Sequence, residues 1–248
     1  MSTLVAKHGK KNSKKMSKSD YIRESLKKSK SMNHYSLFGS EIPIYIKDEL
    51  IFTDNKSNLE DVIQIIENSL PSFLVSNVDV IYVGDFSLFQ ERDTNAAYEN
   101  GAIYVINVQD NAMDMADDIV HEIAHAVEER FYDEIYTDRR VEGEFIGKRE
   151  KLYQILKSYE EPMVDFAYFQ NPYYNDEFDE YLYATIGYPK LSAYSNGLFY
   201  SPYAATSLRE YFAKGFEAYF LYKDLKTLAN ISPILYGTVE TLADLENV

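Results

Sequence analysis

Cysteine is absent from all 248 residues of the chain. Disulfides, thiolate metal sites and a cysteine nucleophile are therefore excluded together. Tryptophan is absent too, so the aromatic share of 15 % consists of 23 Tyr and 14 Phe. Histidine is scarce, with four residues: His8, His34, His121 and His125. No apolar run approaches the roughly 18 residues of a membrane-spanning helix. No apolar core of about 7–15 residues follows the basic N-terminal residues, which argues against a secretory signal. The expected location is the cytoplasm or a larger assembly.

What is present can fold. A hydrophobic share of 46 % is enough for a core, and the length suits one domain with an appendage. The formal net charge of −15 is unevenly spread. Residues 1–30 carry ten Lys/Arg and two acids, and the remaining residues 15 Lys/Arg and 38 acids. Residues 1–33, rich in Lys, Ser and Asn, are expected to be a basic, flexible tail. Such a tail suits solvent first. Contact with nucleic acid, with an acidic surface or with its own acidic body is the less favoured reading. Residues 34–248 are expected to form the domain.

Periodicity outlines an α+β chain. Strands are expected at 42–46 and 78–83, where β-branched residues cluster, and a helix from Asn58 or Asp61 to Leu70. Residues 86–89 suggest a helical turn. Ala96-Ala-Tyr98 and Ala102 to Val108 flank Glu99-Asn100-Gly101, a hairpin turn signal. Helices are further expected over 139–159, 206–222 and near 232–245. Between them, residues 160–203 hold nine Tyr and Pro162, Pro172, Pro189 and Pro202 with little periodicity. Short helices and loops packed by rings are expected there, with a cover over a cleft as the sharper alternative.

The chain is organised around Met115 to Phe131, which contains His121-Glu122-Ile123-Ala124-His125. Ala116, Val120, Ile123, Val127 and Phe131 form an apolar stripe at helical spacing, and Asp117, His121 and His125 form a polar one. Residues four apart on a helix lie one turn apart on the same face. Both imidazoles can then bind one tetrahedral zinc. Glu122, about 100° around the helix, can reach a water at the metal without binding the metal. The plainer reading is a helix with two incidental histidines. It is weakened because the motif takes both histidines outside the N-terminal segment.

With no other His or Cys to hand, the third metal ligand must be a carboxylate. Glu210 leads, near the start of an apolar helix able to pack beside the first. Glu217 follows two turns later, and Glu142 and Glu144 are weaker rivals. Glu210 also has an ordinary explanation, because Ser207 and Glu210 have the spacing of a capping box.

Tyr203-Ala-Ala-Thr-Ser-Leu-Arg-Glu210, followed by Tyr211-Phe-Ala-Lys-Gly-Phe-Glu217, joins His-Glu-Ile-Ala-His-Ala-Val-Glu-Glu and the 97–104 hairpin in a wider pattern. Together they resemble the anthrax lethal factor catalytic domain and the Pro-Pro endopeptidases, zinc peptidases of the gluzincin type. The resemblance covers about residues 58–225. It implies a zincin-like fold, a small mixed sheet packed on the motif helix with a mostly helical C-terminal half. It implies one zinc per chain held by His121, His125 and Glu210, with Glu122 as general base and Tyr203 hydrogen-bonding the developing oxyanion. The chain departs from the pattern in the long Tyr-rich stretch before Tyr203 and in Lys214, one turn after Glu210. Glu217 or Asp117 is then left to support a metal ligand.

The function expected is a zinc-dependent endopeptidase acting on peptide or protein substrates. The peptide would lie along the 102–108 strand, and the acidic body favours basic segments. The alternative is a catalytically weak metallopeptidase-like binding or assembly protein whose basic tail contacts nucleic acid or a partner.

Overall fold

The computed structural model describes residues 35–87, 89 and 94–245. The basic tail expected at 1–33 lies outside the described residues. The described chain is a mixed α+β fold with a small mixed sheet, as expected at that level.

Five strands form the sheet: β1 (Tyr35–Leu37), β2 (Ile42–Ile46), β4 (Val80–Val83), β5 (Ala96–Glu99) and β6 (Ala102–Val105), in the order β1-β2-β4-β6-β5. The central β2/β4 and β4/β6 pairs are parallel, and the outer β1/β2 and β5/β6 pairs antiparallel. Side chains alternate between faces, so the register aligns Ile44, Ile81 and Ile103 on the buried face. Tyr45, Tyr82 and Tyr104 stack across the other face, with ring centroids 5.8 and 5.5 Å apart. Asn100 and Gly101 turn the β5–β6 hairpin at φ 51° and 82°. Both lie in the left-handed region that a two-residue hairpin requires and Asn-Gly supplies.

The topology corrects the expected peptide-binding strand. β6 is paired on both sides, by β4 and β5, and has no free edge. The run expected as one strand over 102–108 also breaks at Ile106. Beyond it, β7 (Val108–Gln109) pairs with β3 (Ile51–Phe52) in a separate two-stranded sheet. Among the described strands, β5 forms the edge on that side.

The first helix, α1 (Leu59–Ser69), is opened by a full capping box between Asn58 and Asp61. The motif helix, α2 (Ala112–Arg130), starts three residues before Met115. Asn111 accepts hydrogen bonds from the free backbone N–H groups of Met113 and Asp114. Its apolar stripe, Ala116, Val120, Ile123 and Val127, is fully buried and packs toward α1, β5 and β6.

The C-terminal half is helical: α3 (Tyr132–Tyr136), α4 (Arg140–Ser158), α5 (Phe166–Gln170), α6 (Asp176–Glu180), α7 (Tyr188–Ser195), α8 (Leu208–Phe220), α9 (Leu225–Ile231) and α10 (Pro233–Ala243). α3 and α9 are additions that the sequence periodicity did not disclose, because five to seven residues show too little of a repeat. The Tyr-rich stretch resolves into α5, α6, a π-helical turn over Tyr181–Ile186, and α7. Two buried cations of α4 hold this region. Arg149 donates to the carbonyls of Asn171 and Tyr168, both at 2.6 Å, and lies over the Phe178 ring. Lys148 donates to the carbonyls of Leu198 and Ile231 and to Ser232 Oγ. Among the described residues no helix is long and apolar enough to cross a membrane.

α8 packs against α2 on one side and α10 on the other. Gly215 makes the second contact possible: a Cβ there would lie 2.3 Å from Leu235 Cδ2, and Leu235 is 1 % exposed. Gly215→Ala is therefore expected to destabilise the fold by about 1–3 kcal/mol through overpacking. Leu235→Ala in the same chain should recover part of the loss. Chemical denaturation of the single and double variants checks this.

Candidate metal centre

The motif helix supplies three groups on adjoining faces. His121 and His125, four residues apart, have ring centroids 4.8 Å apart. Candidate ligand atoms of His121, Glu122 and His125 all lie within 4.8 Å of one another. Both His125 and Glu122 are buried.

Glu210 completes the arrangement from α8. Its Oε2 lies 3.0 Å from His121 Nε2 and its Oε1 3.5 Å from His125 Nε2. Three ligands at about 2.1 Å from a tetrahedral zinc stand about 3.4 Å from one another, so these separations fit the edges of such a site. Glu210 Oε2 is buried and receives no hydrogen bond of acceptable geometry from the described residues, despite its nearness to His121. Glu122 is the less fitting third ligand, since neighbours on a helix point about 100° apart.

The capping-box explanation of Glu210 holds only by half. Ser207 Oγ accepts from the Glu210 backbone N–H, but the Glu210 carboxylate is turned to the histidines. The other candidate acids are engaged elsewhere. Glu142 pairs with Arg139. Glu144 accepts from Tyr211 Oη and from the backbone N–H groups of Ile234 and Leu235, so it caps α10.

The acids around the ligands explain the position of Lys214. Glu217 Oε1 lies 2.5 Å from His121 Nδ1, and Lys214 Nζ donates to both Glu217 oxygens at 2.9 Å. Glu217 thus fixes the His121 ring with Nε2 toward Glu210, the role outer carboxylates play around metal-binding histidines. Asp117, the other candidate for this support, accepts from Tyr222 Oη instead. At His125 Nδ1 the nearest carboxylate is Glu128, at 3.7 Å, itself held by Tyr136. Arg209 Nε donates to the same nitrogen at 2.9 Å. Glu128 was readable in retrospect, one turn after His125 on the same face; Arg209 had no signal in the sequence.

Electrostatics agree with a site built for a cation. Burial opposes the charged form of His121, but carboxylates at both its nitrogens outweigh burial and raise its pKa to about 10. Burial likewise opposes the charged Glu210, yet the two histidines hold its carboxyl well below the usual range. Tyr203 sits beside the site, its ring centroid 6.3 Å from that of His121. Burial, then Glu210 and Asp179, raise its hydroxyl far above the ordinary value, so it stays a hydrogen-bond donor.

The structure thus brings His121, Glu122, His125, Tyr203 and Glu210 to one place. Comparison of the chain with protein-family models, with curated proteins and with solved structures finds no match. The assignment rests on the chain's own geometry.

Two outcomes follow for metal binding. Glu217→Gln, which weakens the hold on His121, should lower zinc affinity about 10–100-fold, measured by competition with a chelator. The same titration on the unaltered chain should show affinity falling as pH is lowered. Below about 10 the His121 proton must leave before its nitrogen can bind a metal.

Proposed function

We propose that the protein is a zinc-dependent endopeptidase of the gluzincin type with a zincin-like fold. The observation that carries this reading is the approach of one buried carboxylate, Glu210, to the Nε2 atoms of both motif histidines, from a separate helix. An N2O donor set with a second carboxylate left beside it suits catalytic zinc better than a closed structural site. His121, His125 and Glu210 would hold one zinc. When bound, zinc supplies Lewis acidity that polarises a carbonyl and makes water more acidic.

The chain's own groups do the rest. Glu122 takes the proton from the attacking water and passes it to the leaving amine. Tyr203, kept protonated, donates a hydrogen bond to the oxygen on which charge develops. Glu217 orients the His121 imidazole through its Nδ1. An extended peptide fits best along β5, the edge strand on that side among the described residues, where backbone hydrogen bonds hold it without regard to side chain. The acidic body supports a preference for basic substrates through electrostatic complementarity.

Metal content and peptide-library cleavage test the proposal. Glu122→Gln should keep its zinc and lose at least about 100-fold in rate, within the span of general-base contributions. Glu210→Ala should lose zinc affinity as well as activity. Full activity in Glu122→Gln would refute the mechanism. Bound zinc with no cleavage of any peptide would point instead to the binding or assembly role.

A further inference from the structure

A cavity of about 510 Å³ opens between α4, the turn at Gly197 and Leu198, and the start of α10. Its lining is basic. Arg140, Lys148 and Lys151, all on α4, line it, and Glu144 is its one acid. That is unusual for this chain. Outside residues 1–30 acids outnumber Lys/Arg by 38 to 15, whereas α4 carries five Lys/Arg and three acids.

Two of the three cations have nothing to bind. Glu144 has both oxygens engaged, by Tyr211 Oη and by the backbone N–H groups of Ile234 and Leu235. Lys148 is buried and spends its three N–H groups on Leu198 O, Ile231 O and Ser232 Oγ. Burial lowers its pKa to about 8 against the pull of Glu144, and Lys151 adds to the lowering. Arg140 and Lys151 are exposed and belong to none of the ion pairs of the described residues. Helices pair such cations with acids three or four residues away. Here those positions on the cavity side are Gly143, three after Arg140, and Gly147, four before Lys151. Glu144, four after Arg140, is occupied in capping α10.

The two glycines have no reason in the packing. A glycine inside a helix weakens it relative to alanine. A Cβ at Gly143 or Gly147 would meet no atom within 4 Å, unlike one at Gly215, so no neighbour requires them. They leave a bare backbone floor between the two cations, which another chain can approach closely. Arg140 and Lys151 stand eleven residues apart on one helix, about 16 Å at 1.5 Å per residue.

We propose that this cavity is a docking groove for an extended acidic segment of a partner protein, its carboxylates paired with Arg140 and Lys151 and its backbone laid over Gly143 and Gly147. Carboxylates four residues apart in an extended chain lie about 13 Å from each other, within the span of the two flexible side chains. A nucleic acid suits the groove less. Its charges come every few ångströms, so most would go unpaired and face the acidic body. Neither the motif histidines nor Glu210 lines the cavity, so the groove does not depend on the metal or on peptidase activity.

The test uses the full chain at low salt, with fluorescent peptides read by anisotropy. One peptide carries two Glu four residues apart in a Gly-Ser background, a second has Gln in their place, and a third has the two Glu adjacent. A single-stranded oligonucleotide is the fourth probe. The spaced-Glu peptide is expected to bind about tenfold or more tightly than the Gln peptide, through two charge-assisted contacts made together, and more tightly than the adjacent-Glu peptide. Arg140→Glu combined with Lys151→Glu should reduce the preference over Gln to about twofold or less. Gly143→Ala combined with Gly147→Ala should raise the melting temperature, since helix propensity improves without a clash. The same pair should weaken peptide binding about fivefold or more by crowding the floor. Equal binding of the spaced-Glu peptide and either control overturns the proposal, and so does a preference that survives the charge reversal. Tighter binding of the oligonucleotide than of the peptide, lost on charge reversal, overturns it in favour of nucleic acid.

Discussion

A carboxylate buried between two imidazoles must be compensated, and much of this fold is arranged around that requirement. Glu210 faces His121 and His125, Glu217 stands on the far side of the His121 ring, and Lys214 neutralises Glu217. Each group is tolerable in the interior only because the next is present. Carboxylates at both nitrogens of His121 hold the ring charged against the cost of its burial.

The balance depends on where α8 sits. Its aromatic residues Phe212 and Phe216 are fully buried, while Gly215 lets α10 close from behind. α10 is in turn capped by Glu144 of α4, which also receives Tyr211 of α8. The next turn of α4 presents Lys148 and Arg149, which satisfy backbone carbonyls that the irregular Tyr-rich segment cannot pair within itself. The helical half thus acts as a brace that presses one carboxylate onto the motif helix.

Long periodic elements were legible from residues alone. α1, α2, α4, α8 and α10, and strands β2, β4 and the β5–β6 hairpin, fall where apolar spacing and turn residues put them. Elements of five to seven residues, such as α3 and α9, escaped because so short a run shows no period. The expected 102–108 strand failed for another reason. Pairing partners come from distant chain, and nothing local records that β6 is enclosed on both sides or that Val108 belongs to a different sheet.

The sequence by itself determined the motif and its helical register, because these depend on residue type and on spacing within one helix. Only the tertiary structure decided which carboxylate faces its two histidines. Glu142, Glu144, Glu210 and Glu217 are chemically alike. Their work as surface partner, helix cap, histidine-facing acid and ring support follows from where three helices cross, which no local pattern encodes.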